Sequence, residues 1–273
     1  MEYTTYPPDE RLAKQVKFYW SLENKDEDAP HDRERIFPDG CIELIFNYGD
    51  KFKKFDNDTD FHIQPPAFIH GQLKTYFELQ AIGKKIGVFS ARMHPAGLRP
   101  FVDFDIDTFT GATLTMQQVW GDDGKKLEDG IFACATNKDR IAVLEQFLLG
   151  KRQAMKVDNA PVEYCVDAML KNVGNVSIEQ LAEELEIGKR QLERRFTSTV
   201  GISPKLLARI IRFQNILQLI ENSAFKSFTT VAYEGGFYDQ AHFIKDFKDF
   251  TGLNPKQYFS ENLEMVKHFS FNE

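Results

Sequence analysis

The stretch "GGFYDQAHFIKDFKDFTGLNPKQYF", residues 235–259, decides the interpretation of this chain because its pattern is written twice. Its apolar and turn-forming positions are Phe243, Phe247, Gly252 and Pro255. Counting back 51 positions from each of these gives the corresponding residues of the other copy, which are Leu192, Phe196, Gly201 and Pro204. A constant period over this length indicates an internal repeat of one structural unit.

Each copy has the pattern of a helix, a tight turn and a second helix. In the first copy Ser177 is a good N-cap residue, and Gln180 three positions later is expected to complete a capping box. The break at residues 186–188 has the length of the turn in a helix-turn-helix. Leu192 and Phe196, four positions apart, then give the second helix one buried face.

The junctions between the units are also marked. Gly201 is expected to close the second helix in a left-handed conformation, and a long connecting helix is expected over residues 204–222. The second copy places Val231 and Ala232 in its first helix and its turn at residues 235–236. The sequence thus predicts two helix-turn-helix units on a rigid connector. Such a pair could enter successive major grooves, about 34 Å apart on one face of DNA.

Residues 177–258 resemble the DNA-binding domain of the AraC/XylS family of bacterial transcription regulators. The shared features are LA…LxxxFxxxxGISPxxL, the connector ARIIRFQ and the long string VAxxxGFxDQAHFxKxFKxxxGLNPKQY. The family pattern has Ile before the alanine, Ser where this chain has Ala241 and Arg where it has Lys245. These mild departures leave the expected fold unchanged. The resemblance implies two units that bind adjacent major grooves of double-stranded DNA, in a regulator without enzymatic activity.

The candidate DNA-contacting residues are those opposite the apolar face of each second helix. Arginine can bind guanine bidentately and glutamate can accept from cytosine, although the same charges would also suit a solvated face or ion pairs within the helix. The family position favours DNA readout. The candidates are Lys189, Arg190, Glu193, Arg194 and Thr197 in the first unit, and Gln240, Ala241, Ile244, Lys245 and Lys248 in the second. Because the second set has fewer base-reading groups, we expect the first unit to discriminate bases and the second to hold phosphate.

The N-terminal part has a different pattern. Short runs rich in β-branched and aromatic residues are expected to form strands, at residues 41–48, 67–71, 74–82 and 85–93. Residues 115–156 read as helical. The predicted fold class is therefore α+β. It has a β-rich, barrel-like domain with C-terminal helices at residues 1–157, which binds an effector or dimerises, followed by an all-α double helix-turn-helix domain at residues 158–273.

Three N-terminal stretches, "FPDGCIELIFN", "GVFSARMHPAGLRPFV" and "QQVWGDDG", are similar to a sensor-like domain common in the same family. The similarity implies a pocket for a small-molecule effector, with Arg92 and His94 as its first candidate polar groups. Phe37, Phe46 and Phe89 could line that pocket or belong to the core, and the core is the more frequent role of a phenylalanine.

Composition limits the other possibilities. The net charge is −7, and residues 158–273 contain 13 Lys+Arg against 16 Asp+Glu, a net charge of −3, so DNA binding must depend on locally arranged cations. The three cysteines, Cys41, Cys134 and Cys165, have no paired spacing and suggest a reducing compartment. The first residues do not resemble a secretory signal, and no apolar run is long enough to span a membrane, so we expect a cytoplasmic bacterial protein.

Two other functions are compatible with the sequence. One is a metal-dependent barrel enzyme, but His62, His70 and His94 form no paired ligand motif, so neither a metal nor a cofactor is expected. His242, next to the inward Phe243, is expected to be structural. The other is a protein-interaction adaptor that uses the helix pairs, which would suit their negative charge.

An amphipathic helix is expected at residues 137–154, with an apolar stripe at Ile141, Leu144, Phe147 and Leu148. Packing within the chain and a dimer seam are equally compatible with this stripe. We expect a homodimer, since two double readers on repeated half-sites would gain affinity through effective concentration. RNA polymerase is a further possible partner of a regulator of this kind.

Overall fold

The computed structural model describes residues 1–24, 32–152, 159–222, 233, 235–237 and 239–261. Two predictions fall outside these ranges: the apolar pair Val231 and Ala232, and the domain boundary between residues 157 and 158. The expected fold class is confirmed, because ten strands in the described residues precede the helices of the C-terminal region.

The strands alternate apolar and polar side chains or end at turn-forming residues, and they pair antiparallel into two sheets. The six-stranded sheet has the order β1-β2-β9-β4-β7-β10, and the four-stranded sheet has the order β3-β8-β5-β6. The strands are β1 Glu2–Tyr6, β2 Val16–Glu23, β3 Glu34–Ile36, β4 Ile42–Asn47, β5 Phe52–Phe55, β6 Phe61–Ile63, β7 Ala67–His70, β8 Phe77–Ala81, β9 Gly87–Met93 and β10 Thr113–Thr115. The four predicted strands are present with shorter bounds. The other strands, β1, β2, β3, β5, β6 and β10, were not predicted individually, and in β1 the polar threonines gave no apolar signal.

The larger sheet has two different faces. Leu44, Phe46 and Phe89 lie on one face, are fully buried, and belong to the core formed with the following helices. In register on the opposite face, Arg92 of β9 pairs with Glu43 of β4, and Glu43 pairs with His70 of β7. Since side chains alternate along a strand, these three polar groups form one row facing the smaller sheet.

Eight helices lie in the described part of the chain. They are α1 Met116–Ala133, α2 Asn137–Lys151, α3 Ala160–Lys171, α4 Ile178–Glu184, α5 Lys189–Val200, α6 Pro204–Asn222, α7 Gln240–Thr251 and α8 Pro255–Glu261. Short 3-10 turns lie at Arg99–Phe101 and Ile106–Phe109. The apolar stripe of α2 packs within the chain, with Leu144 and Leu148 fully buried against α1 and the larger sheet. Whether this helix also takes part in a dimer remains a prediction.

The C-terminal helices in the described residues form where the repeat predicted them. The Ser177 hydroxyl caps α4 by accepting from the Gln180 backbone N–H at 3.3 Å. Gly201 and Gly252 end α5 and α7 with φ of +94° and +76°, the left-handed region in which glycine carries no steric penalty. Pro204 begins α6, the predicted connector.

Candidate nucleic-acid interface and ligand cavity

The outer face of α5 is the first candidate nucleic-acid interface. Leu192 and Phe196 are fully buried, as their spacing predicted, so the opposite side of the helix faces solvent. Of the predicted contact residues on this helix, Thr197 is half-buried and four are exposed, namely Lys189, Arg190, Glu193 and Arg194. The arrangement leaves the guanidinium groups accessible to a duplex.

Lys189 forms an ion pair with a neighbouring helix. Its ammonium contacts Glu179 of α4, and this hydrogen bond raises the pKa of Lys189. Because both side chains are about half exposed, the pair is worth little to stability. It holds Lys189 toward α4 rather than along the outer face of α5.

The outer face of α7 is the second candidate interface. Asp239 caps this helix, with its carboxylate accepting from the His242 backbone N–H at 2.7 Å. Phe243 and Phe247 are buried, which turns the predicted contact residues outward. All five are exposed, namely Gln240, Ala241, Ile244, Lys245 and Lys248.

A buried ion pair fixes α7 to the connector α6. Arg209 donates from Nη2 and Nε to Asp246 Oδ1 at 2.7 and 3.1 Å, and from Nη2 to Asp249 Oδ2 at 2.8 Å. Asp246 is 1% exposed. This pair was not predicted from the sequence, although Arg209 lies in the connector motif and Asp246 directly precedes the buried Phe247.

His242 is held by contacts within its own unit. Its ring lies edge-on to Phe237 with centroids 5.5 Å apart, and its Nε2 is 3.7 Å from Asp246 Oδ1. These contacts agree with the structural role expected for this residue.

The N-terminal domain contacts the equivalent glycine of both repeats. Thr110 donates its hydroxyl to the Gly201 carbonyl, and a Cβ on Gly201 would lie 3.0 Å from a side-chain carbon of Ile106. At the second repeat, a Cβ on Gly252 would lie 2.4 Å from the ring of Tyr76. Each helix-turn-helix unit is therefore docked on the N-terminal domain at the end of its second helix.

A third contact is made by residues 37–41, the sequence FPDGC, which we term the coupling segment. The ring of Phe37 lies edge-on to Phe213 of α6 and Tyr258 of α8, with centroids 6.2 and 5.7 Å apart. Gln214 of α6 donates its side-chain N–H to the Pro38 carbonyl at 2.6 Å. The coupling segment therefore rests directly on the connector.

The other side of the coupling segment lines a cavity between the two sheets. Its volume is ≈ 150 Å³, close to that of engineered apolar cavities that hold benzene. Its walls combine aromatic and aliphatic side chains with one polar end. The lining residues include Tyr3, Trp20, Asp32, Glu34, Phe37, Asp39, Cys41, Glu43, Phe52, His70, Phe77 and Arg92.

The polar end of the cavity centres on Arg92, which contacts Asp39 and, through Nε, Glu43 Oε1 at 3.1 Å. Burial alone would lower the pKa of Arg92, but the two carboxylates raise it well above its ordinary value, so the guanidinium stays charged. Burial raises the pKa of Glu43, which Arg92 and hydrogen bonds from Ser90 and Trp20 oppose. Those neighbours favour the ionised form of Glu43, but burial outweighs them and its pKa stays above the ordinary value.

His70 ends the polar row as a neutral base. Its Nδ1 donates to the Gly71 carbonyl at 2.9 Å, so Nε2 accepts from the Lys54 ammonium at 3.3 Å. Burial and the positive charge of Lys54 lower the pKa of His70 to about 4. Lys54 reaches His70 from β5 of the smaller sheet, and its ammonium also lies 4.6 Å from the ring centroid of Phe77.

The predicted pocket residues are thus separated by the structure. Arg92 lines the cavity, whereas His94 follows the end of β9 and is not among the lining residues. Phe37 is a wall, but Phe46 and Phe89 point to the helix side of the sheet and are core. The alternation of β4 and β9 carries the signal for these positions, but it could not say which face holds a cavity.

Other kinds of site have little support in the described ranges. No group of three or more metal-ligating side chains is found among the residues described. Within the same residues, no helix is long and apolar enough to cross a bilayer. The three cysteines are free thiols, and burial raises the pKa of Cys41 to about 12, which disfavours the nucleophilic thiolate.

Comparison with known families matches two segments of the chain. Residues 4–115 match the family described as "Domain of unknown function (DUF6597)", and residues 181–261 match the family described as "Helix-turn-helix domain". The second segment contains both candidate nucleic-acid interfaces.

Curated relatives match the same C-terminal region. The chain is 36% identical over 81 residues to an uncharacterized HTH-type transcriptional regulator of Haemophilus influenzae, and 34% identical over 85 residues to the HTH-type transcriptional regulator MtrA of Neisseria gonorrhoeae. The matches cover 30% and 31% of this chain, but only 27% and 28% of the two relatives.

Among solved structures, ToxT from Vibrio cholerae is similar at a TM-score of 0.49 and 13% identity, over 95% of this chain and 97% of that one. The C-terminal domain of AraT, a response regulator from Geobacillus stearothermophilus, has a TM-score of 0.36 and 23% identity, over 40% of this chain and 89% of that domain. Similarity at this level says nothing about a shared ligand.

Proposed function

We propose that this chain, whose residues 181–261 are a helix-turn-helix domain of the AraC type, is a sequence-specific DNA-binding transcription regulator controlled by a small-molecule effector. The observation that carries the proposal is the pair of outward faces on α5 and α7. Their apolar sides are buried in one core, while the candidate contact residues remain accessible.

The charges on the two faces support a division of labour. The α5 face offers two guanidinium groups, Arg190 and Arg194, which can each form a bidentate pair with guanine in the major groove. The α7 face offers the ammonium groups of Lys245 and Lys248, which attract phosphate without selecting a base. The α5 unit would therefore supply most sequence discrimination.

The net charge of −7 does not oppose this assignment. Affinity for a duplex depends on cations placed within about a Debye length of phosphate, roughly 8 Å at physiological salt. The acidic residues that line the cavity, such as Asp39 and Glu43, lie in the other domain. A locally positive face can therefore bind DNA on an acidic protein, with a strong dependence on salt.

The effector would act through the coupling segment. Asp39 contacts Arg92 inside the cavity, while Pro38 and Phe37 contact the connector and α8. A ligand that prefers one position of Asp39 would also favour one position of the connector, since both belong to the same five residues. The N-terminal domain also packs against Gly201 and Gly252, so a movement of this domain would affect both units.

The remaining parts of the proposal follow from a DNA partner. The curated relatives are named as transcription regulators, and we assign no enzymatic activity to this chain. Residues 1–157 would form the effector-binding or dimerisation domain, and residues 158–273 the DNA-binding domain. A homodimer, contact with RNA polymerase and a cytoplasmic location in a bacterium belong to the same proposal.

Selection of bound duplexes from a random DNA pool tests the function directly. The full chain should enrich one sequence containing two contact regions a helical turn apart, and binding should weaken steeply between 50 and 200 mM salt. Enrichment of no sequence, together with weak binding at low salt, would remove the DNA-binding assignment and favour a protein-interaction role.

A further inference from the structure

We propose that the cavity between the two sheets binds a small organic cation, an amine or quaternary ammonium attached to a ring-sized apolar group. The inference rests on the proposed function only for its consequence, effector control, and not for the binding itself. The charges and rings that line the cavity support the binding of such a cation.

The cavity carries more negative than positive charge. Four carboxylates and one guanidinium are among the side chains that line it: Asp32, Glu34, Asp39, Glu43 and Arg92. Lys54, which contacts the lining residue His70, and Lys17, whose charge acts on Asp39 and Glu43, add two positive charges. With both lysines included and the four carboxylates ionised, one negative charge remains in excess, which favours a positively charged occupant.

Arg92 is already paired with two carboxylates. Its guanidinium already contacts both Asp39 and Glu43, and its Cζ lies 5.6 Å from the ring centroid of Phe18. An anionic ligand would have to displace one of these carboxylates and leave it buried without its cation, at a cost in free energy. Arg92 therefore positions the two carboxylates rather than serving as an anchor for an anion.

Two aromatic rings lie beside Glu43. The indole of Trp20 donates to Glu43 Oε2 at 3.0 Å, and the ring of Tyr3 lies 5.7 Å from that of Trp20. Two electron-rich rings next to a carboxylate are the elements of an aromatic cage, which binds organic cations through their attraction to the ring faces. Both rings line the cavity.

The size of the cavity limits the ligand. A cavity of ≈ 150 Å³ accepts one ring and a short arm, roughly ten non-hydrogen atoms by comparison with cavities that hold benzene. Phe52 and Phe77 of the smaller sheet supply the apolar wall for the ring. The ammonium would then lie toward Tyr3, Trp20 and Glu43.

The test compares three probes of similar size that differ in charge: benzylamine, benzyl alcohol and benzoate. Binding is followed by calorimetry and by Trp20 fluorescence in a Trp120→Phe background, because Trp20 and Trp120 are the two tryptophans of the chain. We expect benzylamine to bind about tenfold more tightly than benzyl alcohol and benzoate to bind weakest. Equal binding of all three, tightest binding of benzoate, or no binding of benzylamine would overturn the proposal.

Variants show which groups carry the preference. Glu43→Gln should reduce the affinity for benzylamine about tenfold and leave that for benzyl alcohol unchanged, with Glu34→Gln as the substitute if the first variant does not fold. Glu78→Gln, on the same sheet as Phe77 but outside the cavity lining, should change neither affinity. An equal loss for amine and alcohol in Glu43→Gln would mean general damage to the cavity and would contradict the charge argument.

Measuring duplex binding on the same preparations separates this proposal from the proposed function. A chain that selects a DNA sequence but does not prefer the amine would retain the regulator function and lose the cation site. A chain that binds the amine but no DNA would keep the site and lose the function.

Discussion

Arg209 of the connector and Asp246 of α7 form a buried ion pair with N–O distances of 2.7 and 3.1 Å, and this pair joins the second helix-turn-helix unit to the helix that spans both. Asp246 is 1% exposed, whereas Asp249, the other partner of Arg209, is on the surface. The same guanidinium therefore has one buried and one solvated carboxylate.

We expect Asp246→Ala to destabilise the chain by about 3 kcal/mol, because it leaves a partly buried guanidinium without its main partner. Asp249→Ala is the matched control and should cost less than about 1 kcal/mol, since exposed pairs contribute little. Urea unfolding followed by circular dichroism measures both. Equal losses in the two variants would mean that burial does not set the strength of this pair.

Arg190→Ala or Arg194→Ala should flatten sequence preference by about 1–3 kcal/mol at one base pair, because each guanidinium is placed to read a base edge. Competition binding between the selected duplex and singly altered duplexes measures this loss. If a variant lowers affinity but leaves discrimination between duplexes unchanged, that arginine contacts phosphate and does not read a base.

Lys248→Ala should weaken binding to all duplexes alike and reduce the slope of log affinity against log salt by about 0.9, the value for one phosphate contact. Titrations at four salt concentrations give the slope. Lys256 at the start of α8 is the control, since it is an exposed lysine on a different helix. Its replacement by alanine should leave the slope unchanged if only the α7 face meets the duplex.

Gly252→Ala should destabilise the chain by about 1 kcal/mol or more, because φ is +76° and the new Cβ would lie 2.4 Å from the Tyr76 ring. Gly150→Ala is the control, since no atom lies within 4 Å of the added carbon and the site is helical. Adding Tyr76→Ala to Gly252→Ala should recover only the steric part of the loss. Thermal unfolding of the single and double variants separates the two contributions.

Stability should rise with pH between about pH 4 and 6.5 in part because of His70. Its folded pKa of about 4 lies below the unfolded value near 6.5, so the unfolded chain binds more protons in this window. His70→Gln should reduce the slope of unfolding free energy by up to about 1.4 kcal/mol per pH unit. An unchanged slope in the variant would mean that His70 is not held neutral.

The sequence by itself determined the C-terminal region. A repeat of period 51 predicts a repeated structural unit, since the same caps, turns and buried positions occur in each copy. The spacing of the apolar residues Leu192 and Phe196 then determines which side of α5 faces solvent. Four of the ten described strands were also predictable, because alternating apolar residues and turn signals are local properties of the chain.

Tertiary structure alone decided which face of the larger sheet holds a cavity, and which residues join the two parts. Phe46 and Phe89 alternate along their strands just as Glu43 and Arg92 do, and only the packing of helices on one side and a second sheet on the other separates core from cavity. Contacts such as Gln214 with Pro38 link positions 176 residues apart. Local propensities cannot encode such a pairing, because it depends on where two surfaces that are distant in the sequence meet.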